Sequence, residues 1–334
     1  MGGDLAPAVT AEGAVIAAAR GVEVALVGDA AALERECARL GGRPAGVRIV
    51  HAADAIAMQE HAALELRRRR ESSIAVGLEL VKRGEVEAFV SLGNTGAVLA
   101  LALVVLGRLA GVERPALAAL LPSPAGPRLL LDAGANAEAR PSHLVQFARL
   151  GAAYMRAVAG VADPGVRLLN IGEEPSKGSS LTLEVHAALA ASSLRFLGNV
   201  EGRELATTDA DVIVTDGFTG NVALKTIEGI VSLLSGEVRR AAMASLRGRA
   251  GGLLLRPSLR RLQRQLDYRQ VGGVPLLGVD GIVIVGHGRS DGEAVANAVE
   301  AAARAAQQRM VAALTAAVEA ADAPPSRERA RGGG

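Results

Sequence analysis

Short runs of β-branched residues and leucine alternate along the chain with longer, alanine-rich stretches of helical spacing. The short runs predict strands, and most are followed by a turn and then by a helical stretch. They cover residues 22–27, 47–50, 88–91, 129–132, 166–170, 194–197, 211–215 and 282–285. Repeated strand–turn–helix units predict an α/β fold, in which a three-layer α/β/α sandwich surrounds a mostly parallel sheet.

No stretch rich in Pro, Gly or Ser divides the middle of the chain. We therefore expect a single α/β/α domain over residues 1–321, which includes an amphipathic segment at 244–268. Residues 322–334 contain Pro324 and Pro325 and end in three glycines, a composition that predicts a disordered tail. The longest apolar run, at 97–106, is much shorter than the roughly 18 residues that indicate a membrane-spanning helix.

The amino-acid composition disfavours several classes of function. The 334 residues include 37 basic and 35 acidic side chains, for a net charge of +2, and only 2% are aromatic, so a nucleic-acid partner is disfavoured. Cys37 stands alone and the five histidines are scattered, so we expect neither a disulfide framework nor a metal site. The first residues do not resemble a secretory signal, and we expect a cytoplasmic protein.

Glycine-rich loops follow four of the predicted strands, at 91–97, 132–136, 170–179 and 215–221. At one edge of a parallel sheet such loops converge, their glycines let backbone N–H groups approach a ligand, and helix N-termini favour anions. We therefore expect a site for an anionic, phosphate-bearing ligand at that edge. Any one loop alone is more simply explained as a glycine-rich turn with an Asn or Thr cap.

Lysine is rare: Lys82, Lys177 and Lys225 are the three lysines among 37 basic residues. Two of them lie in glycine-rich motifs, which makes them candidates for binding an anion. Lys225 follows Asn221 by four residues, on the same helix face, but a lysine in a surface ion pair is an equally good interpretation. The P-loop, the dinucleotide fingerprint and the Gly-x-Ser-x-Gly elbow are all missing from the sequence, which disfavours nucleotide chemistry and a serine nucleophile.

As a set and in this order, the motifs resemble the bacterial phosphate acyltransferase family, PlsX. The motifs are MGGD at 1–4, GNTGA at 93–97, DAGAN at 132–136, NIG at 170–172, NVEGR at 199–203, the block 215–225, GGVPLLG at 272–278 and GHG at 286–288. The resemblance implies a phosphotransacetylase/isocitrate-dehydrogenase-like fold and a homodimer. It also implies transfer of a long-chain fatty acyl group from acyl carrier protein to inorganic phosphate, without a metal or organic cofactor. The acyl phosphate would then pass to a membrane glycerol-3-phosphate acyltransferase for phospholipid synthesis.

Candidate site residues follow from the resemblance together with the four loops. We expect Lys177 to stabilise phosphate or oxyanion charge, with Asp216 orienting it or a neighbouring donor, and Asn221 as a third catalytic residue. The expected substrate- and phosphate-binding residues are Asp4, Asn94, Thr95, Asn136, Lys225 and His287. The main alternative is a phosphotransacetylase acting on a short acyl-CoA, and a dehydrogenase on the related fold comes third.

A leucine stripe predicts contact with a membrane surface. Leu255, Leu259, Leu262 and Leu266 have helical spacing, while Arg260, Arg261 and Arg264 lie off the stripe. The expected membrane contacts are Leu253, Leu254, Leu255 and Leu259. Without the resemblance, packing of these leucines in the core or across a dimer interface is the better interpretation. The resemblance favours peripheral association with the inner face of the cell membrane.

The amino terminus departs from the family pattern. Members of the family usually have a short apolar strand and Asp-Ala ahead of the MGGD motif, whereas this sequence starts at Met1 of that motif. We therefore expect a β-branched strand ending in Asp-Ala to be encoded immediately upstream. Leu5 and Leu92 differ from the residues usual in the family at those positions, so neither is given a role.

Overall fold

The computed structural model describes residues 1–60, 69–123, 126–266 and 272–322, without side chains for Leu246, residues 260–266 and residues 321–322. The strands are β1 Val24–Gly28, β2 Val47–His51, β3 Ala88–Ser91, β4 Ala116–Leu121, β5 Arg128–Leu131, β6 Gly165–Asn170, β7 Arg195–Glu201, β8 Val212–Val214, β9 Val274–Leu277 and β10 Ile282–Val285. The helices are α1 Ala8–Ala19, α2 Ala30–Arg39, α3 Ser73–Lys82, α4 Thr95–Val105, α5 Pro141–Ala157, α6 Ser180–Ala190, α7 Gly217–Met243, α8 Leu246–Leu266, α9 Gly292–Gln307 and α10 Met310–Asp322. Of the predicted tail at 322–334, Asp322 is instead the last residue of α10, and residues 323–334 lie outside the described residues.

Eight strands form the main sheet, in the order β3-β10-β9-β4-β5-β8-β6-β7. β3 and β10 are parallel, and β5, β8, β6 and β7 are parallel to one another. Between these groups the strand direction reverses three times, at β10/β9, β9/β4 and β4/β5. Three reversals leave the β5–β7 group running opposite to β3 and β10.

Alternating side chains of the strands enter two separate cores. Leu129 and Leu131 of β5 pack in one core, whereas Leu130 lies in the other. Helices α5, α6, α9 and α10 contribute buried side chains to the first core, and α3, α4 and α7 pack on the opposite face. Because the strand period is two, a sheet buried on both faces gives this arrangement. The predicted α/β/α sandwich is confirmed.

β1 and β2 form a separate two-stranded parallel sheet. Within the described strands, β1 pairs only with β2 and β3 pairs only with β10, so each has a free edge. A cavity of about 740 Å³ lies between them, lined by residues of both strands and by Ile74 and Val295 from flanking helices. We call this cavity the β1–β3 slot.

All eight predicted strands are present, two of them (88–91 and 282–285) with the predicted ends and six with shifted ends, whereas β4 and β9 were not predicted. These two strands cause the three changes of direction in the main sheet. None of the helices within the described ranges is both long and apolar enough to cross a bilayer.

Candidate active site

The strand directions separate the candidate residues into two groups. The loops after β5, β6 and β8 share one edge of the sheet, because these strands are parallel. The loop after β3 lies at the opposite edge, because β3 runs the other way. The prediction that all four glycine-rich loops meet at one edge is therefore wrong, and its physical cause is the pair of unpredicted antiparallel strands.

The larger group surrounds the first turn of α7, which follows β8. Asp216 caps this helix: one carboxylate oxygen accepts from the Thr219 backbone N–H at 2.9 Å and the other from the Thr219 hydroxyl at 2.7 Å. Asp216 thus fixes the Thr219 hydroxyl, whose single hydrogen is used in this bond. Asn221 is exposed one turn further along and lies over Gly134, whose missing side chain leaves room for it.

The loop at 132–136 packs against the same helical turn. The Gly217 backbone N–H donates to the Asn136 carbonyl at 2.9 Å. The side-chain amide of Asn136 donates to the Pro115 carbonyl and to the Asp132 carboxylate, both at 2.8 Å. Since both amide hydrogens are used, Asn136 supports the loop instead of offering a donor to a bound anion.

Lys177 lies in the loop after β6, and β6 is the strand next to β8 in the sheet. Its side chain is exposed and passes over Gly172, and no salt bridge includes it among the described residues. The Asn170 amide donates to the Lys177 carbonyl at 2.9 Å and so fixes the end of the loop. Lys177 therefore presents a free ammonium group at the edge of the sheet where α7 begins.

A second anchor of the Lys177 loop involves Asn199 and His186, which were not among the predicted site residues. Asn199 is buried on β7, and its amide donates to the Glu174 carbonyl at 3.0 Å. The Asn199 side-chain oxygen lies 2.9 Å from Nδ1 of His186, on α6. The NVEGR motif that contains Asn199 was a usable signal, whereas His186 carries no local motif.

Lys225 forms an ion pair with Glu228 at 2.8 Å, within α7. The two residues are three positions apart; Lys225 is exposed and Glu228 is half-buried. The geometry therefore favours the surface ion pair over a phosphate contact for this lysine.

The smaller group lies where β3 and β10 end. Asn94 caps α4 by accepting from the Ala97 N–H at 3.0 Å, and its amide donates to the carbonyls of Met58 and Glu60. The Asp4 N–H donates to the Gly288 carbonyl at 2.8 Å, which joins the first residues to the GHG loop. Thr95 is exposed at the start of α4, and Nδ1 of His287 accepts from the Arg289 N–H at 3.1 Å.

Helices α7 and α8 pack against each other and carry a large exposed apolar surface. Leu253, Leu254 and Leu255 are 68%, 81% and 57% exposed, and Leu259 is half-buried. The exposed apolar residues of α7 are Phe218, Val222, Ile230, Leu233, Leu234, Val238 and Met243. The predicted stripe residues Leu262 and Leu266 and the arginines 260, 261 and 264 lie where side chains are not described.

Among the described residues, no group of three or more His, Cys, Asp or Glu side chains is arranged to hold a metal ion. The ordered polar features of the site are backbone groups, amides, the capped helix start and one free ammonium. These groups can bind and orient an anion and stabilise negative charge.

Comparison with known proteins identifies the family. The family model described as "Fatty acid synthesis protein" matches residues 1–313. The chain belongs to this family. It is 53% identical over 300 residues to the phosphate acyltransferase of Thermus thermophilus, covering 90% of each chain. It is also 49% identical over 316 residues to the phosphate acyltransferase of Moorella thermoacetica, covering 94% of this chain and 93% of that one.

Solved structures with the same fold include two phosphotransacetylases. EutD phosphotransacetylase from Staphylococcus aureus matches with a TM-score of 0.58 at 17% identity, covering 88% of this chain and 89% of that one. A phosphotransacetylase from Streptococcus pyogenes matches with a TM-score of 0.55 at 17% identity, covering 93% and 92%. These likenesses confirm the fold predicted from the sequence.

Proposed function

We propose that this chain is an acyltransferase that moves a long-chain fatty acyl group from acyl carrier protein to inorganic phosphate, forming acyl phosphate for phospholipid synthesis. The observation that carries this proposal is the 53% identity to a protein named phosphate acyltransferase over nine-tenths of both chains. The phosphotransacetylases share the fold at only 17% identity, so a short acyl-CoA donor is the second candidate.

The reaction joins a phosphate oxygen to the thioester carbonyl carbon. The carbonyl oxygen becomes an oxyanion, and collapse of this intermediate re-forms the carbonyl and expels the carrier thiolate, which takes up a proton. At neutral pH much of the phosphate is the dianion and needs no strong base. The enzyme's tasks are therefore to bind phosphate, to align it with the thioester and to stabilise the oxyanion.

The edge formed by the loops after β5, β6 and β8 suits these tasks. The exposed ammonium of Lys177 supplies positive charge there, and the start of α7 adds the positive end of a helix dipole. Asn221 offers a side-chain donor one turn into that helix. Asp216 fixes the helical turn through its two bonds to Thr219. The proposal assigns charge stabilisation to Lys177 and orientation to Asp216 and Asn221.

The exposed apolar surface of α7 and α8 supports two further parts of the proposal. Leu253, Leu254 and Leu255 form a solvent-exposed apolar cluster beside Arg256, a composition that favours binding at a bilayer interface. Such binding would bring the acyl phosphate to a membrane glycerol-3-phosphate acyltransferase at the inner face of the cell membrane. The apolar stripe of α7 would pack against a second copy of the chain in a homodimer.

Two parallel incubations test the reaction. Purified protein is mixed with palmitoyl-ACP and phosphate, and separately with acetyl-CoA and phosphate, and acyl phosphate is trapped with hydroxylamine as the hydroxamate. We expect phosphate-dependent product from palmitoyl-ACP and much less from acetyl-CoA. Product from acetyl-CoA alone would contradict the proposed function and indicate a phosphotransacetylase. Product from neither donor would contradict both candidate functions. Sedimentation velocity tests the dimer.

A further inference from the structure

Asp132 is a fully buried carboxylate at the carboxyl end of β5. One oxygen accepts from the backbone N–H groups of Leu117, Gly134 and Ala135, at 2.9–3.0 Å. The other accepts from the Asn136 backbone N–H at 2.7 Å and from its side-chain amide at 2.8 Å. Five donors on one carboxylate satisfy a charge that burial would otherwise make very costly.

These bonds determine the shape of the loop at 133–136 and its place against β4. The donors come from three of the four loop residues and from Leu117, which lies on the neighbouring strand. Burial raises the pKa of the Asp132 carboxyl, while the N–H donors act in the opposite direction. The arrangement uses two acceptor oxygens, whereas a side-chain amide has only one.

The loop in turn touches the start of α7 without intervening space. The Asn136 carbonyl accepts from the Gly217 N–H, and a Cβ at Gly217 would lie only 2.5 Å from that carbonyl oxygen. A Cβ at Gly220 would lie 1.9 Å from the Asp132 carbonyl oxygen. The position of the first turn of α7 therefore depends directly on the loop that Asp132 holds.

We propose that Asp132 is a positioning residue for acyl transfer. It touches no substrate; it holds the loop at 133–136 so that the helical turn with Asp216 and Asn221 keeps a fixed place relative to Lys177. This inference rests on the proposed function, because it assigns those residues to the reaction. Asp132 differs from an ordinary loop contact because its carboxylate is fully buried and both of its oxygens are hydrogen-bonded.

The first test is Asp132→Asn, which replaces one acceptor oxygen by an NH₂ group. In either orientation of the amide, that group faces at least two N–H donors. We expect kcat to fall by about 10²-fold, the cost of a misplacement of about 1 Å in a reacting geometry. If Asp132 only positions the helical turn that acts in the reaction, the KM for the acyl donor should change much less than kcat.

Asp211→Asn is the matched control. Asp211 is a half-buried carboxylate at the amino ends of β5, β6 and β8, the edge of the sheet opposite the site. It accepts from the Gly165 N–H at 2.8 Å and lies 3.8 Å from the Arg128 guanidinium. We expect Asp211→Asn to lower the Tm while leaving kcat unchanged. If Asp132→Asn behaved in the same way, its role would be structural and the proposal overturned.

A second variant covers the possibility that Asp132→Asn does not fold. Gly217→Ala retains Asp132 but places a methyl group 2.5 Å from the Asn136 carbonyl oxygen and 2.7 Å from the Asp132 carboxylate, which forces the start of α7 away from the loop. A folded Gly217→Ala protein with reduced kcat supports the proposal, and full activity overturns it. The kcat of each variant is compared with that of the wild type, using the acyl donor that the wild type accepts. If the proposed donor is wrong, the wild type itself fails to use palmitoyl-ACP, and the comparison between variant and wild type is made with the other donor.

Discussion

At the scale of single residues, Lys177 is the side chain on which the proposed reaction most depends. If its ammonium stabilises phosphate or oxyanion charge, Lys177→Ala should lower kcat by roughly 10²-fold, the loss typical of one electrostatic stabiliser. Lys177→Arg should also be poor, because a planar guanidinium does not replace a compact ammonium. Steady-state kinetics with palmitoyl-ACP and phosphate measure both effects.

Lys82→Ala is the control for the loss of a lysine, since Lys82 is exposed in the last turn of α3 and carries no proposed role. Its activity should equal that of the wild type. Full activity in Lys177→Arg would contradict both the role assigned to Lys177 and the argument from the rarity of lysine, and full activity in Lys177→Ala would remove Lys177 from the mechanism.

The asparagines show how far residue patterns could predict the site. Their clustering beside glycines correctly marked the loops after the strands, but it did not show what each side chain binds. Asn94 caps α4, Asn136 is held by Asp132 and Pro115, and Asn170 closes the Lys177 loop. The sequence alone cannot separate these roles from ligand binding, because turn formation and anion binding favour the same residue type.

At the scale of elements, the missed strands β4 and β9 explain the error in the site. The β4 sequence ALAALL contains only alanine and leucine, which are good helix formers, so its pattern does not predict a strand. β9 contains Pro275, which argues against a central strand. Both are fixed by pairing with distant strands, and long-range pairing leaves little local signal.

The hairpin of α7 and α8 leads to a prediction about membrane binding. We expect the protein to bind anionic liposomes, and we expect Leu254→Glu combined with Leu255→Glu to abolish binding, because two charges enter the exposed apolar cluster. Added salt should weaken wild-type binding, since arginine attraction to anionic lipid is screened. Liposome co-sedimentation measures both effects.

Leu183→Glu, at an exposed leucine of α6, controls for an added charge on another helix and should bind like the wild type. The double variant should keep its activity on soluble palmitoyl-ACP. If it instead unfolds or loses its dimer in sedimentation, the leucines pack within the protein or between copies, and the membrane assignment is wrong.

At the scale of the whole molecule, the β1–β3 slot interrupts the layer of strands. Both of its long walls are strand edges that pair with no other described strand, and helices close its faces with apolar side chains. Met1 lies at one end of the slot, with its backbone nitrogen 3.3 Å from the Val27 carbonyl oxygen. A parallel strand between β1 and β3 would join the two sheets and satisfy both edges.

We therefore expect a version of the chain with a β-branched strand and Asp-Ala fused ahead of Met1 to unfold at a higher temperature than the chain with Met1 first. The gain has two sources: new ladder hydrogen bonds along β1 and β3, and burial of apolar side chains in the slot. Thermal unfolding gives the shift in Tm, and hydrogen exchange should show slower exchange of the β1 and β3 amides.

A fusion of equal length with two prolines at alternate positions should gain much less, because proline removes ladder donors. Equal Tm values for both fusions would show that the added segment stays outside the slot.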